Sequence, residues 1–215
     1  MPLNVTLTAV QRGNAGIRLP LQVDERNALR VVEDLPSLVA LVNRGVVWSA
    51  GEAAGVASVI APPTTLAQIS LYNNEDEDGL SYLVLRAFGV VTATPAGLSQ
   101  FGISHCIHRA KPATLPDQDI APASITNMKA GGSRQATTYV GAARIDLALA
   151  VADDLWKPLG YSILNAVTGV GWQLDIWLDS LVIIPPGGLY SLASVASSTT
   201  VNTRLGMTWA EVQLN

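Results

Sequence analysis

The chain has 215 residues, of which 49% are hydrophobic and 14% are charged, and its formal net charge is −4 at pH 7. This length is enough for one large β domain with a sizeable core. The charged fraction lies well below the roughly 25% of ordinary soluble domains. Because the balance is acidic, with a pI near 5.1, the sequence excludes the basic surface of a nucleic-acid-binding protein.

The apolar excess has no membrane segment to account for it. Mean hydropathy is +0.31, yet no stretch approaches the roughly 20 uninterrupted apolar residues of a membrane span. Since monomers rarely expose large contiguous apolar patches, we expect the surplus to be buried between subunits. We expect neither a membrane nor a nucleic acid as a partner.

The expected place of folding is a cytoplasm. The first residues, MPLNVT, lack the basic start and the apolar core of a secretory signal. Cys106 is the single cysteine of the sequence, which excludes an internal disulfide framework.

Residues 1–28 alternate weakly between apolar and polar side chains. They predict an extended N-terminal arm or a peripheral strand, followed by a β-sandwich domain over residues 29–215. Within that domain two interpretations fit the segment that starts near Ser37. Ser is a good N-cap, which favours a short helix, whereas the β-branched content favours a strand.

Strand patterns dominate the following residues. Residues 56–60, 66–72 and 80–94 predict strands, and the acidic turn at 73–79 predicts that the last two form a hairpin with a longer loop. In the long strand, alternate side chains share a face: Tyr82, Val84, Arg86, Phe88 and Val90 on one, and Leu83, Leu85, Ala87, Gly89 and Val91 on the other. Both faces are largely apolar, as in a strand buried between sheets or at a subunit contact.

The middle of the chain is less regular. Residues 103–109 predict a strand, 110–137 a long connection and 153–160 a loop, while 139–152 fits either a helix or a strand.

The last third returns to β patterns. A period of two over residues 172–179 predicts a strand. Two apolar runs on either side of Pro185-Pro186-Gly187-Gly188, and a β-rich run that ends at Glu211, bring the total to about eight strands. Many short strands with Gly/Pro turns predict an all-β sandwich or barrel.

Soft metal ligands are concentrated at His105-Cys106-Ile107-His108, which contains both histidines of the chain. On a strand, Cys106 and His108 share one face and His105 lies on the other. Because a zinc site needs three or four converging ligands, we expect a structural role here, with no metal and no other cofactor.

The run Glu75-Asp76-Glu77-Asp78-Gly79 superficially resembles a calcium loop. An EF-hand spaces its acids and lies between helices, whereas these acids are consecutive and lie between predicted strands. We interpret the run as a solvated turn, and a weak cation site between subunits is the alternative.

The sequence contains no catalytic motif of the G-x-S-x-G, Ser-x-x-Lys or phosphate-loop type. Asp175 and Asp179 share one strand face about 13 Å apart, which is too far to flank a glycosidic bond together. We therefore expect a protein that is not an enzyme. The two carboxylates either keep an exposed face hydrated or pair with arginines.

Trp172 and Trp177 fall on opposite faces of one predicted strand, so at least one of them points away from the core. An outward Trp is either a ligand platform or an interface anchor. The high apolar content favours a subunit interface over a sugar-binding surface. The expected interface residues are Trp172, Trp177, Trp209, Phe88 and Tyr82.

Two parts of the sequence resemble a known group of proteins. LAQISLYNN at residues 66–74, a polar tip and LSYLVLRAF at 80–88 resemble a recurring hairpin of tailed-bacteriophage virion proteins. LVIIPPGG at 181–188 with the terminal TWAE at 208–211 resembles the same group. The resemblance extends over about residues 60–211 and is to jelly-roll capsid decoration or cement proteins, which are often trimeric.

This resemblance implies a jelly-roll-like antiparallel β-sandwich, made in a host cytoplasm and located on the capsid exterior of a virion. The implied partners are further copies of the chain in a homotrimer and the major capsid protein. Residues 1–28 are then an arm that becomes ordered on assembly. The alternatives are a receptor- or carbohydrate-binding module of a tail or fibre, and a cupin-like enzyme, for which two neighbouring histidines are too few.

Overall fold

The computed structural model of the protein describes residues 37–62, 66–94, 97–129, 139–150, 155–164 and 170–214. The predicted arm at residues 1–28 lies outside this part of the chain.

The described residues form one α-helix, one 3-10 helix at Pro122–Ser124 and eleven strands. In chain order these are α1 (Ser37–Arg44), β1 (Val47–Gly51), β2 (Val56–Ala57), β3 (Ile69–Asn73), β4 (Ser81–Ala93), β5 (Ser99–Ile107), β6 (Thr126–Asn127), β7 (Ala143–Leu147), β8 (Lys157–Leu164), β9 (Gln173–Ile184), β10 (Leu189–Ala196) and β11 (Asn202–Val212).

The strands form two antiparallel sheets. The first has the order β6-β1-β11-β4-β9, with β2 added on β11, and the second has the order β7-β3-β10-β5-β8. Eight of these strands are the main ones: β1, β3, β4, β5, β8, β9, β10 and β11. Counted along the chain, they lie in the order first, eighth, third, sixth in one sheet and second, seventh, fourth, fifth in the other. This is the order of an eight-stranded jelly roll, and the predicted fold is confirmed.

The core lies between the sheets, because each strand turns alternate side chains inward. Its fully buried large side chains come from both sheets and include Trp209, Tyr82, Tyr190 and Phe101. Trp48 is paired with Trp209 across β1 and β11, so the first and last main strands of the jelly roll lie side by side in the first sheet.

Helix α1 covers part of the outer face of the first sheet. Its apolar side chains Leu38, Leu41 and Val42 pack on Val47 and on a small cluster with Leu85 and Ala210. The helix ends in a Schellman motif, in which Gly45 has φ 73° and its N–H bonds the Val42 carbonyl at 2.9 Å. Of the two interpretations of this segment, the helix is confirmed.

One face prediction for β4 is wrong. Tyr82 and Val84 lie in the core, but Arg86 and Phe88 lie on the opposite face, because the pairing with β9 shifts register between Val84 and Arg86. A β-bulge inserts one extra residue and reverses the parity beyond it. From Ala87 onward the core face is therefore the other set of side chains.

The predicted hairpin at residues 66–94 is also wrong. β3 pairs with β10 and β7, whereas β4 pairs with β11 and β9, so the acidic turn connects the two sheets. The Pro185–Gly188 corner makes the second connection at the same end. Asn73 joins them, since its Nδ2 donates to the Leu80 carbonyl at 2.8 Å and to the Ile184 carbonyl at 2.9 Å.

Two further segments are settled by the structure. Residues 143–147, left open between helix and strand, form β7, and the predicted loop at 153–160 is wrong for its last four residues, which begin β8. Pro158 is tolerated there because β8 is an edge strand. The described part of the 110–137 connection contains only the short 3-10 helix and β6.

Candidate interaction surface

Several exposed apolar side chains lie along one edge of the sandwich. β8 ends the second sheet and β9 ends the first, and the two strands lie against each other. A Cβ at Gly160 in β8 would lie 3.0 Å from Ile176 Cδ1 in β9. Both strands therefore border the same edge.

Seven large side chains on or next to these two strands expose between 45 and 76% of their surface, and five of them, Val170 and Ile183 apart, form one group. These five define the β8–β9 edge surface: Leu155, Tyr161, Ile163, Trp172 and Trp177. Because β8 and β9 each end a sheet within the described residues, the edge combines apolar side chains with backbone groups that have no strand partner in that part of the chain, a combination that native proteins usually cover.

Trp177 stands beside a charged pair on the outer face of the first sheet. Arg86 donates two hydrogen bonds to Asp175, from Nε to Oδ1 at 2.5 Å and from Nη2 to Oδ2 at 2.9 Å. Its Cζ also lies 4.9 Å from the centre of the Phe88 ring and 5.7 Å from that of Trp177. The guanidinium thus lies within cation–π distance of two aromatic rings.

Phe88 lies flat on the same face because a glycine leaves room for it. Gly206 is directly opposite Phe88 in the pairing of β4 with β11. A Cβ at Gly206 would overlap the Phe88 ring and lie 2.7 Å from the Ala50 carbonyl oxygen. The absence of a side chain at Gly206 therefore positions the ring under the Arg86 guanidinium.

The structure divides the five predicted interface residues. Trp172 and Trp177 belong to the β8–β9 edge surface, and Phe88 is half-buried beside them. Tyr82 and Trp209 are 0% exposed, so their prediction as contact residues is wrong for this chain. Trp209 alternates inward with Leu205 and Met207, and Tyr82 with Val84, so both belong to the core.

Sequence reasoning missed Tyr161 and Ile163. The predicted loop ended just before them, because Pro158 and Gly160 argue against a strand. The alternation Tyr161-Ser162-Ile163 was the signal that could have found them. Tyr161 and Ile163 lie on the outer face of β8, whereas Ser162 lies opposite the core residue Phe101.

The histidine and cysteine side chains do not converge. Cys106 is buried opposite Ser191, and His108 Nε2 lies 2.7 Å from the Ser191 hydroxyl. His105 lies on the other face, edge-on to the Tyr190 ring at 5.7 Å, and burial, followed by the charge of Lys157, lowers its pKa. The predicted division of the faces is confirmed.

The other candidate groups have structural partners. Asp175 pairs with an arginine, as one interpretation predicted, while the side chain of Asp179 lies outside the described part. The acidic run forms an exposed turn, in which the Gly79 N–H bonds the Asp76 carbonyl at 2.7 Å. Within the described residues no three His, Cys, Asp or Glu side chains are grouped as metal ligands.

A buried polar network lies near the covered end of the first sheet. The Tyr139 hydroxyl donates to the Glu211 carboxylate, which also accepts from Trp209 Nε1 at 3.3 Å. The Ala143 N–H donates to the Tyr139 oxygen at 3.1 Å. Burial raises the pKa of Glu211. Because these groups satisfy one another, the network has a structural role.

No protein-family model matches the sequence, and no curated protein matches it significantly. Among the described residues, no helix has the length and apolar character required to cross a membrane. The interpretation of the surface therefore depends on its geometry.

Proposed function

We propose that this chain is a structural virion protein, which decorates and stabilises a phage capsid as a homotrimer that bridges major capsid subunits. The observation that carries the proposal is the β8–β9 edge surface, where five large apolar side chains are exposed on or next to the two edge strands. The proposal assigns the chain no catalytic role.

The shape of the surface supports assembly. Trp177 belongs to the outer face of one sheet and Tyr161 to the outer face of the other, so the apolar surface extends around the edge. In a cyclic trimer each contact joins two different patches, and each copy contributes both. One flank of the edge packing on the other flank of the next copy meets this requirement.

The jelly roll supports the choice of a virion. This fold is common in viral capsid proteins, although lectins and cupins share it. The two segments that resemble phage virion proteins, at residues 66–88 and 181–188, form the two neighbouring connections between the sheets. The resemblance thus falls on one spatially continuous end of the sandwich.

A second function is favoured by one specific arrangement. An exposed Trp177 ring beside the Arg86–Asp175 fork combines an apolar platform with polar groups of fixed direction. Carbohydrate-binding surfaces need this combination. A receptor- or carbohydrate-binding module of a tail or fibre is therefore the second candidate.

The mass in solution tests the homotrimer. At micromolar concentration, light scattering coupled to size exclusion should give three times the 22.6 kDa of the chain. The double variant Tyr161→Ser/Trp177→Ser should be monomeric. Val39→Ser, which removes an exposed apolar side chain from α1, is the matched control and should remain trimeric. A monomeric wild type would overturn the homotrimer.

Two further assays separate the candidate functions. Co-sedimentation with capsids that lack the protein should recover the wild type and Val39→Ser, but not the double variant. If a glycan array instead gives binding that Trp177→Ala abolishes, and the capsids recover no protein, the carbohydrate-binding function replaces the structural one.

A further inference from the structure

A cavity of about 210 Å³ opens at the end of the sandwich where β9 turns into β10. The Pro185–Gly188 corner forms one wall, and the end of β5 with the residues that follow it, 107–111, forms the other. Ile107, Arg109 and Lys111 in this second wall are exposed, so a ligand can reach the cavity from solvent. A cavity of about 150 Å³ already accommodates benzene in a protein, so this one has room for a small organic molecule.

The lining of this cavity is positively charged, although the whole chain has a net charge of −4. Among the described residues that line it, His108, Arg109 and Lys111 are basic and none is an Asp or Glu. Neither Arg109 nor Lys111 forms an ion pair within the described part of the chain. The acidic turn at residues 75–78 lies at the same end of the sandwich but contributes no side chain to the lining. The two cations therefore face the cavity without a carboxylate partner among the described residues.

The Lys111 side chain lies along the corner. A Cβ at Gly187 would lie 3.6 Å from Lys111 Cδ and 4.0 Å from its Nζ. Gly187 has φ 75°, which favours glycine, and the absence of a side chain there leaves room for the lysine. The wall begins at a fixed point, because the His108 N–H donates to the Leu189 carbonyl at 3.1 Å and His108 Nε2 lies 2.7 Å from the Ser191 hydroxyl oxygen. The Lys111 amine therefore lies beside the cavity.

The remaining walls favour a ligand that also has an apolar part. Ile107 and Ile183 are 51% and 48% exposed, and Pro185 and Pro186 lie between the cations and β9 along the lining. Two neighbouring cations attract a doubly charged group more strongly than a single carboxylate. A phosphate monoester has this charge, about −1.5 to −2 at pH 7, and three acceptor oxygens.

We infer that this cavity binds a small phosphate monoester, with the phosphate on Arg109 and Lys111 and an apolar body against Ile107 and Ile183. A guanidinium binds two phosphate oxygens at once, and an ammonium group adds a point charge. The phosphate supplies the negative charge that the lining lacks. The inference is independent of the proposed function, because it requires neither the homotrimer nor a capsid.

An NMR titration of the nitrogen-15-labelled full chain tests the inference, with phenyl phosphate as the probe in a buffer without phosphate. The amide signals of Gly187 and Gly188 should shift and saturate, whereas that of Gly171, which precedes the opposite end of β9, should not move. Inorganic phosphate should bind more weakly because it lacks the apolar body, and benzoate because it carries a single charge. A higher salt concentration should weaken the binding of phenyl phosphate, since salt screens exposed charges.

Three variants make the result specific. Arg109→Gln and Lys111→Gln should each weaken the binding of phenyl phosphate about tenfold, the loss expected for one hydrogen bond to a charged group. Both side chains are exposed, so both variants should fold. Arg204→Gln is the matched control, because it removes an equal charge from an exposed position near the other end of β9, opposite Val90. It should bind as the wild type does.

Three results would overturn the inference. The first is the absence of shifts at Gly187 and Gly188 when the folded wild type is titrated with millimolar phenyl phosphate. The second is an equal affinity in the wild type and in the double variant Arg109→Gln/Lys111→Gln. The third is an equal loss of affinity in Arg204→Gln, which would assign the effect to net charge and not to the cavity. Circular dichroism confirms folding of each variant.

Discussion

The outer face of the first sheet has two halves that differ in what covers them. At one end, Val47, Ala210, Leu83 and Ile183 lie side by side across four strands, and α1 packs over the first three. Further along the same face, β9 carries Trp177 and Asp175 opposite Arg86 and Phe88 of β4. Nothing in the described part of the chain packs over Trp177 and Asp175.

One face of a sheet can thus be buried under a helix of the same chain at one end and stay open to another molecule at the other end. The β4 bulge lies at the border between the halves. On the covered side it places Leu85 under the helix, and on the open side it turns Arg86 and Phe88 outward. The covered half stabilises the single chain, whereas the proposed role of the open half is to bind another one.

The largest effect is expected in the covered half. Leu85→Ala should lower the free energy of unfolding by about 2–5 kcal/mol, because Leu85 is 2% exposed and its loss leaves a cavity under α1. Urea unfolding followed by circular dichroism measures it. Ile183→Ala, on the same face but half-exposed, is the control and should cost less than about 1 kcal/mol. Equal costs would remove the distinction between the halves.

Gly206 tests how tightly the open half is built. Gly206→Ala should cost about 1–3 kcal/mol, because its Cβ overlaps the Phe88 ring and crowds the Ala50 carbonyl. Gly97→Ala, whose Cβ would meet nothing within 4 Å, should be close to neutral. Thermal melts compare the two. If Phe88→Ala does not relieve part of the Gly206→Ala cost, the Phe88 ring is not what requires the glycine.

The Arg86–Asp175 pair should contribute little to the stability of the chain. Asp175→Asn should cost no more than about 1 kcal/mol, since the two side chains are 30% and 42% exposed and water screens them. The difference from the wild type should shrink at high salt, which chemical unfolding at two salt concentrations detects. A loss of several kcal/mol would show that the open half is a stability element.

The smallest effect on folding belongs to Trp177. Trp177→Ala should change the free energy of unfolding of the monomer by no more than about 0.5 kcal/mol, as for other exposed positions. It should nevertheless lower the fraction of trimer in sedimentation velocity runs. A large loss of stability with unchanged association would show that Trp177 stabilises the single chain, as the covered half does, and does not bind another copy.

Much of the fold could be predicted because its signals are local. The period of two over residues 172–179 predicted β9 and at least one outward tryptophan, and Ser37 favoured one of the two interpretations of its segment, the helix. The strand partners could not be predicted, because a jelly roll pairs strands that are distant in sequence. The acidic turn was therefore taken for a hairpin when it joins two sheets.

The candidate sites show the same division. Parity predicted at least one outward tryptophan in β9, and Trp177 is exposed, whereas no parity argument supported Trp209, which lies in the core. Glu52 carries no local signal at all. Its hydrogen-bond partners Gln68 and Leu205 come from two other parts of the chain, so only the folded chain shows that its carboxyl group is buried.

The position of β11 has a consequence for biosynthesis. This strand lies between β1 and β4 in the first sheet, so β1 has no central neighbour to join until residue 212 has left the ribosome. The pairing of β1 with β11 is therefore late, and pairing at such long range is intrinsically slow. A chain interrupted before β11 lacks the strand between β1 and β4 and cannot complete the first sheet.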